Sequence, residues 1–318
     1  MRIVVLDSYT VNPGDLSWDE LKKLGDLVLY DRTPAAETIG RSKGADAILT
    51  NKVVIDSTVM AALPNLKYVG VLATGTNVVD LVDARARGIV VANVPNYCSE
   101  SVVQLVFAHI LNLVSRYSQN LTAVQNGEWV ASPDFSFSKG KLVELYGKRL
   151  GVVGFGSTGK RVAQVARAFG MRVVAYSPRL VIGSRYDDVE AVSLDDLFRI
   201  CDVVSLHCPL TDQTRNLVDK QRLDTVKDGM LLINAGRGPL LNEQDVADAL
   251  KTGKLGGLGA DVLSSEPPSA DNPLLHAPNC YLTPHNAWAT SEARARLIQI
   301  ATDNLKAFIE NQPINVVN

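Results

Sequence analysis

Short apolar runs alternate along this chain with longer stretches whose apolar residues recur at helical spacing. Arg2–Leu6, Asp26–Tyr30, Ala45–Thr50, Leu66–Ala73 and Ile89–Val94 read as strands separated by helix-length segments. A second series follows: Arg149–Val153, Arg172–Tyr176, Asp202–Leu206, Met230–Asn234, Leu258–Val262 and Cys280–Thr283, again with helical stretches such as Glu243–Lys251 between them. Such alternation predicts two open parallel α/β sheets.

Two longer periodic segments organise these sheets. Ser99 to Asn126 opens on Ser99, Glu100 and Ser101, keeps an apolar face, and closes at Asn126-Gly127, predicting one long helix between the sheets. Ser291 to Asn311 predicts another, able to return to the first sheet. The expected division is therefore a discontinuous first domain, 1–98 with 286–318, and an inserted second domain, 99–285. No repeat of solenoid period is visible.

Between the strand at 149–153 and the periodic segment Lys160–Phe169 lies Gly154-Phe155-Gly156-Ser157-Thr158-Gly159. A lone GxGxxG is weak evidence, but strand, glycine turn and helix in this order predict a dinucleotide site. Gly154 permits the tight turn, Gly156 lets the backbone approach a pyrophosphate, and Gly159 lets helix and strand pack closely. The helix start offers N–H groups to the phosphates.

Bulk composition narrows the partners. With 32 Lys and Arg against 34 Asp and Glu, the net charge of -2 gives no general attraction for nucleic acid or an anionic membrane. Small-molecule chemistry is the better expectation for a chain of 318 residues, 46% of them hydrophobic. Cys98, Cys201, Cys208 and Cys280 show neither CxxC pairing nor zinc-ligand spacing, predicting reduced thiols, no metal site and a cytoplasmic setting. Met1–Asp7 reads as a strand rather than a signal peptide, and Gln104, His109 and Asn112 interrupt the apolar stretch Val102–Val114, which argues against a membrane span.

Chemistry concentrates after the glycine turn. Arg237, in Asn234-Ala235-Gly236-Arg237-Gly238, stands at the carboxyl end of a strand, where open α/β folds bind ligands. Flanked by glycines, its guanidinium can grip a carboxylate with two parallel hydrogen bonds. Asp261 ends the next strand, and Glu266 follows in a loop stiffened by Pro267 and Pro268. His285 follows the strand after that, in Thr283-Pro284-His285-Asn286-Ala287-Trp288. A carboxylate bonded to one imidazole nitrogen fixes the tautomer and leaves the other nitrogen to exchange a proton with substrate.

Arginine in an NAGRG turn, a downstream glutamate and a histidine in a PH turn, in this order, resemble the D-2-hydroxyacid dehydrogenase family over essentially the whole chain. The resemblance implies an α/β fold of two Rossmann-like or flavodoxin-like doubly wound parallel-sheet domains with an active-site cleft between them. It also implies reversible hydride transfer between NAD(P)H and a 2-keto acid. Arg237 would bind and polarise the keto acid, His285 would be the acid/base, and Glu266 would pair with His285. Gly154 through Gly159, Ala235, Asp261 and the His207-Cys208-Pro209 loop would border the cofactor. Ala73, Thr74, Gly75 and Trp288 would border the substrate, the loop Thr74–Asn77 presenting N–H groups at the start of a helix near Asn77–Arg87. A homodimer is expected from the same resemblance.

Leu72-Ala73-Thr74-Gly75, Ser132–Phe137 and His285–Trp288 look like the glycerate dehydrogenase, or hydroxypyruvate reductase, branch, and no regulatory tail like those of many phosphoglycerate dehydrogenases is seen. Hydroxypyruvate or glyoxylate is thus the preferred substrate. One departure stands out: Ser177-Pro178-Arg179 replaces the acidic residue that binds the ribose hydroxyls of NAD, so NADP acceptance is expected. A solvated Arg179 with NAD as cofactor is the competing reading there. For the chain as a whole, the rivals are the same chemistry on a bulkier 2-keto acid, and a dinucleotide-sensing binding protein like the co-repressors that resemble these dehydrogenases. His109 reads as a satisfied core histidine and His276 as superficial. Phe135 and Phe137 are open between substrate, subunit and loop packing.

Overall fold

The computed structural model describes residues 1–318. The chain divides into two compact units, Met1–Cys98 with Trp288–Asn318, and Ser99–Ala287.

The first unit carries β1 (Arg2–Val5), β2 (Asp26–Leu29), β3 (Ala47–Thr50), β4 (Tyr68–Val71) and β5 (Val90–Ala92) in the order β2-β1-β3-β4-β5, all parallel. Successive side chains of β1 and of Leu6 just after it go to opposite faces: Ile3 and Val5 join one core with the helix Ser291–Ile309, while Val4 and Leu6 join another with the helices Ser57–Ala61 and Leu81–Ala86. Both faces of the sheet are thereby covered, as parallel strands require.

The second unit carries β6 (Arg149–Val153), β7 (Arg172–Tyr176), β8 (Arg185–Tyr186), β9 (Val189–Ala191), β10 (Val203–Leu206), β11 (Met230–Asn234), β12 (Leu255–Ala260) and β13 (Cys280–Leu282). Their order is β13-β12-β11-β10-β6-β7-β9-β8, parallel except for the β8–β9 pair. Strand order reverses between β6 and β10, the switch point where such sheets bind ligands. Leu150 and Val152 pack under the helices Ser99–Ser115 and Ser157–Ala168, while Val153, Val204 and Leu206 pack on the other face with the helices Leu194–Ile200 and Glu243–Thr252.

The predicted helix Ser99–Asn126 is two helices, Ser99–Ser115 and Tyr117–Gln125. Arg116 between them takes the left-handed conformation, φ 51°, and its Nη1 donates to Asn279 Oδ1 at 2.6 Å. Asn112 Oδ1 accepts from both N and Oγ of Ser118 and so restarts the backbone. The helix expected near Asn77–Arg87 is shorter, Leu81–Ala86, with Asp80 as its N-cap. Thr74–Asn77 therefore does not form the start of that helix. The strand expected at Leu258–Val262 runs instead from Leu255 to Ala260, because Gly256 and Gly257 extend it without adding an apolar signal. No helix is long and apolar enough to cross a membrane.

Candidate active site

The glycine turn separates two demands on one backbone. Gly154 has φ +95°, and a Cβ there would lie 2.5 Å from the backbone of His207 and Cys208. At Gly159 a Cβ would lie 2.1 Å from Gly154 O. Both are glycines because the protein itself fills the space. A Cβ on Gly156 would meet nothing within 4 Å, so open room lies beside the N-terminus of the helix Ser157–Ala168. Gly156 is that helix's N-cap and supplies no side-chain acceptor, and the dipole there favours an anion. This cradle fits a dinucleotide pyrophosphate. Phe155 is buried beside it, and Thr158 Oγ1 lies 3.4 Å from Ser99 Oγ.

Two further loops sit at the same ends of neighbouring strands. Ser177, Pro178 and Arg179 follow β7; Ser177 O accepts from Leu180 N, and the exposed Arg179 pairs with no carboxylate. His207, Cys208 and Pro209 follow β10, with His207 N donating to Val153 O at 2.7 Å. Burial pushes the His207 ring down to about 4, and its Nε2 lies 2.8 Å from Ser205 Oγ. Burial also pushes the Cys208 thiol up to about 11, so it stays protonated. Cys201 and Cys280 rise to about 12 for the same reason, and none of the four cysteines forms a disulfide.

Arg237 follows β11 in a turn organised from beneath. The fully buried Asn234 accepts from Gly236 N at Oδ1, 3.1 Å, and donates from Nδ2 to Arg237 O, 2.9 Å. The Arg237 guanidinium is exposed, with Nη1 on Gly236 O. Gly238 has a packing reason: a Cβ there would coincide with the Leu263-Ser264 backbone, 1.9 Å from Leu263 C. The arginine turn and the loop leading to Glu266 therefore pack directly on each other. Ala235, half-buried, sits in the same turn.

Glu266 and His285 meet: Oε2 lies 2.6 Å from Nδ1, and Oε1 accepts from Leu263 N at 3.0 Å. His285 takes φ 52°, the left-handed region that a β-carbon disfavours, so surrounding bonds must hold it there. Its own N donates to Thr283 O at 2.9 Å. Beyond it, Asn286 N and Ala287 N donate to Asp261 Oδ1 and Oδ2, at 3.0 and 2.8 Å. Thr283 Oγ1 donates to Asp261 Oδ1 at 2.6 Å. Asp261 is 2% exposed, and its carboxylate is directed at the His285 loop; its N donates to Asn234 O, tying it to the arginine turn.

Sequence reasoning named Asp261 but missed Thr283 and Asn234 as its partners, since the groups that donate to this carboxylate lie 22 to 26 residues away and leave no local pattern. His109 does lie in the core, with Nε2 3.3 Å from Thr283 Oγ1; burial lowers its pKa, and the Asp261 charge opposes that.

The remaining residues belong to the first unit or to loops. Ala73, Thr74 and Gly75 follow β4, where Thr74 Oγ1 donates to Val94 O and Thr74 O accepts from Asn93 Nδ2. Asn51 Nδ2 holds the preceding Leu72 O at 2.6 Å. Trp288 sets its ring edge-on to Tyr97, centroids 6.5 Å apart. His276 is exposed at the end of a short 3-10 turn. Phe135 is 91% exposed, and Phe137 is partly covered. No group of three metal-ligating side chains comes together.

Comparison with known proteins matches residues 107–287 to the family described as "D-isomer specific 2-hydroxyacid dehydrogenase, NAD binding domain". A hydroxypyruvate reductase of Blautia hydrogenotrophica is 44% identical over 321 residues, covering 100% of both chains. Among solved structures, the TT0316 protein of Thermus thermophilus superposes with a TM-score of 0.88 at 33% identity, covering 100% of both chains. An acyclic imino acid reductase in complex with NADPH and D-Arg also reaches a TM-score of 0.88, at 26% identity and 100% coverage of both.

Proposed function

This chain belongs to the D-isomer specific 2-hydroxyacid dehydrogenase family, and from that premise we propose that it reduces hydroxypyruvate or glyoxylate with a nicotinamide dinucleotide, reversibly. The observation that carries this is the 2.6 Å contact of Glu266 with His285, at the same ends of the sheet as the arginine and glycine turns. The likeness to a full-length hydroxypyruvate reductase supports a small substrate.

Glu266 is a carboxylate acceptor, so His285 carries a proton on Nδ1 and turns Nε2 to the substrate. In the reducing direction the imidazolium donates its Nε2 proton to the carbonyl oxygen at C2 and becomes neutral, while Glu266 stabilises the charged ring beforehand. Arg237 grips the substrate carboxylate and stabilises negative charge building on the oxygen. Thr74 and Gly75, with Ala73 and Trp288, are assigned to the substrate. Gly154–Gly159 would hold the pyrophosphate of a nicotinamide dinucleotide, whose chemistry would be hydride donation to C2.

Two finer assignments rest on separate observations. The unpaired Arg179 and the lack of a carboxylate in Ser177-Pro178-Arg179 support NADP over NAD, because a 2′-phosphate would meet a cation and no repelling charge. Exposed apolar side chains in one segment, Trp129, Val130, Phe135, Leu142 and Tyr146, support a homodimer as their cover. Four cysteines outside any disulfide support a cytoplasmic setting.

The test is oxidation of NADH and NADPH with each keto acid, with His285→Ala beside the parent. Turnover that is lost in the variant, with dinucleotide affinity kept, is the expected result. Undiminished turnover in His285→Ala, or none with either acid while dinucleotide still binds, would overturn the assignment.

A further inference from the structure

The helix Ser99–Ser115 meets the His285 loop along one stripe. Ser101, His109 and Leu113 are spaced by eight and four residues and so share a face. Ser101 Oγ donates to Ala287 O, and Leu113 and His109 lie over β12, where a Cβ at Gly257 or Gly259 would be 2.3 Å from Leu113 or 2.5 Å from His109. Two glycines in β12 are thus the room in which this helix sits close to the sheet. His109 is 5% exposed, an uncommon place for an imidazole unless it is bonded.

Proton accounting fixes what His109 does. The Thr283 hydroxyl has one proton, and at 2.6 Å it points to Asp261 Oδ1, a carboxylate with none to give. Thr283 Oγ1 can then only accept from His109, 3.3 Å away, so His109 carries a proton on Nε2. Donors therefore run in one direction, from His109 to Thr283 to Asp261, and the same carboxylate receives Asn286 N and Ala287 N. His285 sits between Thr283 and Asn286 with its backbone in the left-handed region. Both sides of a strained residue are pinned to one buried anion.

We propose that His109 is a positioning residue for His285: through Thr283 it orients the Asp261 carboxylate, which holds the loop that aims the His285 imidazole. This rests on His285 being the acid/base. His109 touches neither the imidazole nor any substrate, so its effect passes through the loop, where displacements of about 1 Å cost on the order of 10²-fold in rate.

Thr283→Val breaks the chain without changing side-chain volume much, and Thr283→Ser keeps the hydroxyl. The expected result is a kcat lowered by about 10- to 100-fold in Thr283→Val and in His109→Leu, with dinucleotide KM nearly unchanged. Thr283→Ser should restore kcat, as should His109→Gln in part, since its amide can donate. The double variant His109→Leu/Thr283→Val should be no slower than the worse single, because both break one chain. Independently of activity, nitrogen NMR of the four histidines should show the His285 ring resonances shifted or broadened in both disrupting variants. A lowered Tm with kcat and the His285 resonances unchanged would overturn the proposal, leaving His109 a packing residue. His285→Ala, run alongside, separates the outcomes: if it keeps full turnover, the acid/base assignment itself has failed, whatever the Thr283 variants do.

Discussion

Glu266 divides its two oxygens between the Leu263 N–H, 3.0 Å from Oε1, and the His285 ring, where Nδ1 is 2.6 Å from Oε2. The first bond fixes the carboxylate in its loop, so the second can fix the imidazole.

Replacing that carboxylate by an amide keeps the shape and removes the charge. Glu266→Gln should still hold Nδ1–H, yet lose the charge that stabilises the imidazolium. We expect kcat to fall on the order of 10²-fold with dinucleotide affinity unchanged. Steady-state kinetics with a parallel dinucleotide titration would check this, and an unchanged kcat would remove Glu266 from the proton-transfer machinery.

Arg237 stands exposed on a turn whose backbone Asn234 holds, so the side chain can change without disturbing the turn. Lysine keeps the charge but cannot present two parallel donors. Losing one charge-assisted bond of about 1.5–3 kcal/mol predicts a drop in keto-acid kcat/KM of at least about tenfold for Arg237→Lys. Equal kcat/KM for parent and variant would rule out the clamp.

The glycine turn predicts two different failures two residues apart. Gly154→Ala places a Cβ 2.5 Å from the His207 and Cys208 backbone at φ +95°, so it should destabilise the fold by more than about 1 kcal/mol. Gly156→Val projects into open space, so its Tm should stay near the parent's while dinucleotide affinity falls at least about tenfold. Thermal melts and dinucleotide titrations on both variants separate these effects. Loss of stability in both, with affinity intact at Gly156, would mean the open space is not the pyrophosphate site.

The strands were legible because each is a short apolar run between helix-length segments, and Arg172–Tyr176 and Met230–Asn234 have the expected bounds. Arg237, Glu266 and His285 were legible as residue types in order, though only coordinates place Nδ1 against Oε2. The break at Arg116 was not legible, since the bond that Arg116 makes there is to Asn279, 163 residues away. The hairpin of β8 and β9 gave no signal because two- and three-residue strands joined through Asp187 and Asp188, both at positive φ, carry too little periodicity. His109 lies in the core as its apolar helix implied, but its bond to Thr283 crosses 174 residues.

The proposed preference for NADP rests on one exposed cation, Arg179. Arg179→Glu replaces an attraction for the 2′-phosphate of NADPH by repulsion and offers a carboxylate to the ribose hydroxyls of NADH. NADPH kcat/KM should drop about tenfold or more while NADH kcat/KM holds or rises. Side-by-side kinetics with the two dinucleotides decide it, and an unaltered ratio would mean that Arg179 is solvated in the complex.

His207 makes stability depend on pH, with a sign that burial fixes. Its folded-state pKa is pushed down to about 4 because burial disfavours the charged ring, whereas in the unfolded chain it returns to its ordinary 6.5. Between these values the unfolded chain binds more protons than the folded one, so stability is fully present above 6.5 and is lost as pH falls toward 4. The loss amounts to at most about 3.5 kcal/mol, from about 1.4 kcal/mol per pH unit. His109, also lowered by burial, acts in the same direction, so removing one histidine should flatten the profile without abolishing it. His207→Gln can still bond Ser205 and cannot titrate. Denaturant melts at several pH values between about 4 and 7, the window set by these two states, should give a smaller acid loss for the variant than for the parent. Identical slopes would show that His207 is solvated and protonates freely in the folded chain.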